Sequence, residues 1–164
     1  MALPASFADL AERHRPELLG YLVRLLGDPH DAQDACQDAL LRAHRAFDRL
    51  APDSNCRAWL YRIATNSARD VARRRTRRRA RAADVDLDAL PGGAGFAPDH
   101  RDPVRAVARA VEALPARQRA ALVLRRFQDL GYDEIAATLG GTAEAARANV
   151  YQAVKKLRAT LGGN

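Results

Sequence analysis

Gly140-Gly141 interrupts two helical patterns, and that break constrains the fold more than any other feature of the chain. Upstream, Ile135, Ala136 and Leu139 recur at helical spacing between Tyr132 and Leu139. Downstream, Thr142 can cap a new helix through its hydroxyl, and Ala146, Val150, Ala153, Val154, Leu157 and Leu161 form one apolar stripe. The rest of that second helix carries Arg147, Asn149, Gln152, Lys155, Lys156 and Arg158. Two helices joined by a tight glycine turn, the second polar and basic, is the helix-turn-helix plan, whose second helix enters the major groove of DNA. An amphipathic surface hairpin in an all-helical protein would show the same pattern, so the distinction rests on the remainder of the chain.

Charge supplies the next constraint. The 164 residues carry a formal +7, unevenly spread. Residues 1–81 hold sixteen arginines against ten acidic residues, residues 82–103 one arginine against five aspartates, and residues 104–164 return to a net +5. Two basic blocks flanking an acidic connector suit a polyanion, where each neutralised phosphate releases counterions. No apolar run approaches the roughly 20 residues that cross a bilayer, and the N-terminus lacks the basic-then-apolar order of a signal peptide, which predicts a cytoplasmic protein without membrane insertion. Cys36 and Cys56 have neither a CxxC partner nor a histidine at metal-ligand spacing, so both read as reduced, packed thiols; a regulatory disulfide is the alternative. No cofactor or metal site is expected.

The predicted fold is all-α, with two small helical domains joined by an acidic flexible linker. In residues 1–81, a first helix from about Ser6 to Leu26 buries Phe7, Leu10, Leu18, Tyr21, Leu22 and Leu25. Gly27-Asp28-Pro29 ends it, and Pro29 opens a second helix to about Leu50 that buries Ala32, Cys36, Ala39, Leu40, Ala43 and Phe47. A third, from about Cys56 into the arginine run, turns Trp59, Leu60, Ile63, Ala64 and Val71 inward. Residues 82–103 contain three Gly, three Pro and five Asp without periodicity and read as a linker. Fully extended it would reach on the order of 70 Å, about 20 base-pair steps of duplex. Residues 104–164 form the four-helix domain, with one helix from Asp102-Pro103 to near Leu114, another from Pro115 to near Gln128, and then the helix-turn-helix.

The third helix is the second strong signal. It combines the aromatic pair Trp59 and Tyr61, the amide Asn66 and a cationic end in which eight of the thirteen residues from Arg69 to Arg81 are arginine. Aromatic faces stack on unpaired bases while arginines hold the backbone, the mixture a single-strand binder needs. Trp59 reads better as a core anchor. The arginines repel one another unless an anion is near.

These residues resemble the extracytoplasmic-function type of bacterial RNA polymerase sigma factor, the two-domain branch of the sigma-70 family. Asp31 to Arg42 (DAQDACQDALLR) resembles the family's polymerase-clamp-binding helix, and Ala58 to Arg75 (AWLYRIATNSARDVARRR) its promoter-melting helix. Leu114 to Arg126 (LPARQRAALVLRR) and Leu130 to Arg158 resemble its C-terminal domain. The resemblance implies core bacterial RNA polymerase and promoter DNA as partners, and an anti-sigma factor as the kind of inhibitor many relatives have.

On the second helix, Asp31, Asp34 and Asp38 share one outer face, and the resemblance implies Asp34, Gln37, Asp38, Leu41 and Arg42 as polymerase contacts. It implies a pocket for a flipped minus-ten base at Asp53, Ser54 and Asn55, with Arg62, Asn66, Arg69, Arg73 and Arg74 following the melted strand. Cys56 stands where the family usually has a bulky aromatic, which changes the packing beneath that loop. In the C-terminal domain, Arg147, Ala148, Asn149, Tyr151 and Gln152 are placed for base edges of the minus-35 element, and Lys155, Lys156 and Arg158 for phosphates or the polymerase. The EAARAN segment, Glu144 to Asn149, departs from the commoner family pattern, so the DNA sequence read is not predicted. The acidic linker, with Asp84, Asp86 and Asp88, is similar to the segment that threads toward the polymerase active centre.

Two other classes compete. A stand-alone helix-turn-helix regulator accounts for residues 115–161 but leaves the arginine-rich helix and the acidic face unexplained. A DNA-acting enzyme is disfavoured, because His14, His30, His44 and His100 are scattered and neither an HExxH motif nor a Gly-rich phosphate loop is present.

Overall fold

The computed structural model describes residues 6–51, 53–83 and 103–162. Among them are seven α-helices and no strand: α1 (Phe7–Leu26), α2 (Pro29–Ala46), α3 (Cys56–Ala83), α4 (Pro103–Glu112), α5 (Ala116–Phe127), α6 (Tyr132–Leu139) and α7 (Ala143–Leu161). A 3-10 turn, Phe47–Arg49, follows α2.

Local chemistry sets most boundaries. The Ser6 hydroxyl accepts the Asp9 N–H at 3.2 Å and opens α1. Asp28 caps α2 by accepting the N–H groups of His30 and Asp31 at 2.8 and 2.9 Å, and Pro29 occupies the first turn, where no amide hydrogen is needed. Those backbone donors, Asp31 first, hold the Asp28 carboxyl below its usual range. The second helix stops four residues short of the expected Leu50. The Leu50 N–H bonds the Phe47 carbonyl at 3.0 Å, three residues back, which tightens the chain into the 3-10 turn. α3 continues through the arginine run to Ala83, two residues into the expected linker. Residues 84–102 of the expected linker, with Asp84, Asp86 and Asp88, lie outside the described residues, and Pro103 already belongs to α4.

The helix-turn-helix forms at the predicted break. Gly140 and Gly141 adopt φ of +74° and +123°, values an L side chain resists, so two glycines make this corner cheaply. Thr142 then accepts the Ala145 N–H at 3.2 Å and starts α7. On the other side, Glu134 Oε2 accepts the Gly131 N–H at 2.7 Å and closes the first turn of α6.

α2 packs most extensively on α3, α1 on α2, and α5 on α7. Leu18, Tyr21 and Leu22 of α1, Leu60 and Ala64 of α3, Val123 and Leu124 of α5, and Leu130 and Ile135 around the start of α6 are fully buried in one continuous cluster. Each large aliphatic side chain so buried contributes about 1.5–3 kcal/mol of transfer free energy. A smaller cluster of Leu114, Leu122 and Ala153, flanked by Val150, Val154 and Leu157, seals α5 against α7. Leu161, expected in that stripe, stays 39% exposed, because it is the last residue of α7 and lies a turn beyond the cluster.

Candidate nucleic-acid interface

α2 and α3 build a shallow groove of about 370 Å³ between them, lined by Asp31, Asp34, Gln37, Asp38, Leu41, Val71, Arg74 and Arg78. Asp34 and Gln37 are exposed, and Leu41, at 53% exposure, is an apolar group facing solvent. Asp38 is not free. It sits 2.9 Å from Arg42, which also reaches Asp70 of α3 at 3.0 Å, and hydrogen bonding to Asp70 leads the causes that raise the already high Arg42 pKa. Asp31 likewise pairs with Arg75 at 3.3 Å. The five expected polymerase contacts therefore share one surface, with Asp34 its uncommitted carboxylate.

The loop before α3 presents Asp53 to solvent and half-buries Ser54. Cys56 tucks beneath it, buried, with its Sγ 3.6 Å from the Ser54 carbonyl. Asn55 is used twice. Its Oδ1 accepts the Ala58 N–H at 3.0 Å and caps α3, and its Nδ2 donates to Glu134 Oε1 of α6 at 2.6 Å.

Along α3, successive residues turn by roughly 100°, which puts Arg62, Asn66, Arg69 and Arg73 on one strip and Arg74 a third of a turn away. All five are exposed, and Arg69 donates to Asn66 Oδ1 at 3.3 Å. Arg74 lines the α2 groove with Asp34 and Asp38, so it is separated from the other expected strand contacts. Arg62 and Asn66 border an open pocket of about 360 Å³ with Arg42, Ala46, Ile63 and the half-buried Trp59. Trp59 thus anchors the core and offers one edge to that pocket. Tyr61 corrects the aromatic-pair expectation. It is wholly buried, its ring meets Tyr21 edge-on at 5.2 Å, and its hydroxyl donates to Gln128 Oε1 at 2.5 Å. It cannot stack on a base here, and burial pushes its pKa up to about 12.

α7 offers the opposite situation. Arg147, Ala148, Tyr151, Gln152, Lys155 and Lys156 are exposed, Tyr151 by 66%. The Arg147 guanidinium lies 5.1 Å from the Tyr132 ring centre, which steadies it without consuming its donors. Asn149 is half-buried and its Nδ2 donates to the Ala145 carbonyl at 2.8 Å, so it turns away from the expected reading face.

Three residues escaped the sequence reading. Glu144 lies in the first turn of α7 on the same arc as Arg147 and Tyr151. Hydrogen bonding from its own N–H, then from the Thr142 hydroxyl, holds its pKa below the usual range, so it presents a carboxylate that can accept from a cytosine amine. Arg117 of α5 donates to the carbonyls of Leu139 and Gly140 and staples the glycine turn. Arg119 donates to the carbonyls of Leu25, at 2.7 Å, Glu112 and Leu114, joining the ends of α1 and α4, and burial lowers its pKa. A sequence shows only that these are arginines near a predicted helix start.

Among the described residues, no helix is long and apolar enough to cross a membrane, and no group of three or more His, Cys, Asp or Glu side chains could hold a metal ion.

Comparison with known proteins places both halves. Residues 10–78 match sigma-70 region 2 and residues 105–157 match sigma-70 region 4. The chain is 33% identical to the RNA polymerase sigma-H factor of Pseudomonas aeruginosa, covering 90% of this chain and 82% of that one. It is 35% identical to the RNA polymerase sigma factor CarQ of Myxococcus xanthus, covering 96% and 90%. Among solved structures, CnrH in complex with the cytosolic domain of CnrY is similar with a TM-score of 0.70 at 28% identity, covering 96% of this chain and 88% of that one. The sigma factor RpoE in complex with the anti-sigma factor NepR from Bartonella quintana shares the fold with a TM-score of 0.78 at 24% identity, covering 96% and 98%.

Proposed function

The chain belongs to the extracytoplasmic-function type of the sigma-70 family, and from that premise we propose that it binds core bacterial RNA polymerase and directs promoter-specific initiation of transcription. The observation that carries this reading is the presence of two separate basic reading faces in one chain beside an acidic and apolar groove: the Arg62, Asn66, Arg69 and Arg73 strip on α3, and the Arg147, Ala148, Tyr151 and Lys155 arc on α7. Asp34, Gln37, Asp38, Leu41 and Arg42 dock the polymerase. Asp53, Ser54 and Asn55 take the flipped base of the minus-ten element, and the α3 strip holds the melted strand by phosphate contact. Arg147, Ala148, Tyr151 and Gln152 read minus-35 base edges, with Glu144 added to them, while Lys155, Lys156 and Arg158 hold phosphates.

In this role the chain contributes recognition and melting, no residue of it acts as a catalytic group, and it works in the cytoplasm where the polymerase is. Two relatives of known structure are bound to CnrY and NepR, which supports an anti-sigma factor as a regulatory partner. The test is run-off transcription from fragmented genomic DNA with core polymerase, with and without the purified chain. Discrete new transcripts that require the chain are expected. Specific duplex binding without polymerase, and no transcripts, would instead make it a stand-alone regulator.

A further inference from the structure

Between the end of α1, the middle of α3 and the start of α5 lies a cleft of about 540 Å³, large enough for a small organic ligand. Its floor is apolar: Leu25, Ala68 and Ala120 are buried there, and Leu26, Ala72 and Ala116 complete the wall. Its charges are one-sided. Arg69, Arg75, Arg117 and Arg119 line it against a single carboxylate, Asp31, which Arg75 already engages at 3.3 Å. Like charges gathered over an apolar floor repel where water screens them poorly, and an anion placed among them relieves the repulsion.

The guanidiniums keep donors in reserve. Arg69 commits one terminal nitrogen to Asn66, and Arg117 commits one to the Leu139 and Gly140 carbonyls. Arg119 commits both terminal nitrogens to carbonyls, but its Nε is buried with no hydrogen-bond partner, and burial holds its pKa down. An unmatched buried donor is destabilising, and an acceptor beside it removes the penalty. α5 adds to the same side: Pro115, its N-cap, makes no side-chain bond to the first-turn amides, so the positive end of that helix is open beside Ala116. The walls hold little that would read a nucleobase. The Thr65 hydroxyl donates to the Tyr61 carbonyl, the Thr76 hydroxyl donates to the Ala72 carbonyl, and Asp31 is paired. We propose that this cleft binds a small amphipathic anion, with a carboxylate head held by Arg69, Arg117 and Arg119 and an apolar tail lying on Leu25, Ala68, Ala72 and Ala120. Arg69 also belongs to the strip expected on the melted strand. On the sigma-factor reading the bound anion takes Arg69 from that strand, so occupancy and promoter opening compete; the binding itself does not rest on that reading.

The test is a titration of the full isotope-labelled chain with octanoate, followed by amide chemical shifts, with octanol as the neutral analogue and ADP as a nucleotide. Octanoate is expected to move amides within residues 68–76 and 116–120 to saturation, and octanol at the same concentration to leave them in place. Ala72→Glu sets a carboxylate at an exposed helix position on the cleft and should weaken octanoate about ten-fold. Ala72→Lys, of similar length, should not weaken it. An equal response to octanol, or shifts scattered over other apolar surfaces, overturns the site, and a tighter response to ADP overturns the apolar tail. Shifts that appear only when Asp84→Asn, Asp86→Asn and Asp88→Asn are combined would make the chain's own acidic segment the occupant and overturn the small anion. In run-off transcription with core polymerase, saturating octanoate should raise the chain concentration for half-maximal transcript about three-fold, and less for Ala72→Glu. No change there overturns the competition. Absence of transcripts in every condition, with octanoate binding intact, overturns the sigma-factor reading and leaves the site standing.

Discussion

α3 and α7 both carry a cationic face expected on nucleic acid, but they hold it differently. On α7 the reading arc faces solvent, and its one internal tie, Arg147 on the Tyr132 ring, orients the side chain while leaving its N–H donors available. On α3 and its preceding loop, Asn55 is bound at both ends, Arg69 leans on Asn66, Arg75 pairs with Asp31, and Tyr61 is sealed against Gln128. Duplex readers work by presenting rigid, pre-set donors to groove edges. A strand-holding surface acts only on DNA that is already opening, and here it is partly spent on the protein itself. The α7 face is open to solvent, whereas part of the α3 surface is already bonded within the protein.

The largest effect is expected where the two helices share a core. Leu124→Ala in α5 should cost about 2–5 kcal/mol of stability, and hydrogen exchange should lose protection in α3 as well as in α5. Loss confined to α5 and its neighbours would mean that the helices are independent and the contrast is local. Next comes the presented face. Arg147→Ala should weaken specific duplex binding by about 1–3 kcal/mol and relax preference at one base position, read by binding to a mutated site library. Glu144→Ala should shift the preferred base without changing the salt slope, whereas Lys155→Ala should leave preference intact and flatten that slope by about one unit.

Smaller losses belong to α3 and α2. Asn66→Ala and Arg73→Ala should each slow open-complex formation, followed by permanganate reactivity of unpaired thymines, by about 1 kcal/mol with core binding unchanged. Asp38→Ala should weaken core binding by a similar ~1 kcal/mol, since it removes an expected contact and one of the two carboxylates that hold Arg42; unchanged affinity in a titration with core polymerase would falsify the α2 assignment. The smallest effect is expected for Asn149→Ala, within about 0.5 kcal/mol for DNA binding, because its amide already bonds the Ala145 carbonyl.

Periodic features were legible in the sequence. The apolar stripes of α1 to α3, the Asp28-Pro29 start of α2 and the Gly140-Gly141 corner each follow from a local rule, and each forms where that rule puts it. Helix ends were less so, because the 3-10 turn after Ala46 depends on individual hydrogen bonds, from Phe47 to His44 and from Leu50 to Phe47. The roles of Tyr61, Arg117 and Arg119 were invisible. An aromatic in a basic helix reads as a base-stacking group until its partner is known, and Gln128 lies 67 residues away. Arginine counts likewise say nothing about which guanidinium turns inward to hold carbonyls, a decision made by tertiary neighbours rather than by spacing. Within the expected sites, Arg74 parts from its group because it lies on a different arc of α3, and Asn149 because its amide bonds the Ala145 carbonyl.

The Tyr61 to Gln128 bond joins residues from the two halves matched to separate sigma-70 regions. Such halves look interchangeable, and a designer would graft one chain's promoter-spacing preference onto another by swapping everything after the linker. Here that graft carries a hidden requirement. A donor half lacking an amide at the position of Gln128, or a hydroxyl at Thr138, would remove a buried hydrogen bond between the halves and weaken their packing. Orthogonal regulators built from this chain should therefore be matched at the seam as carefully as at the DNA.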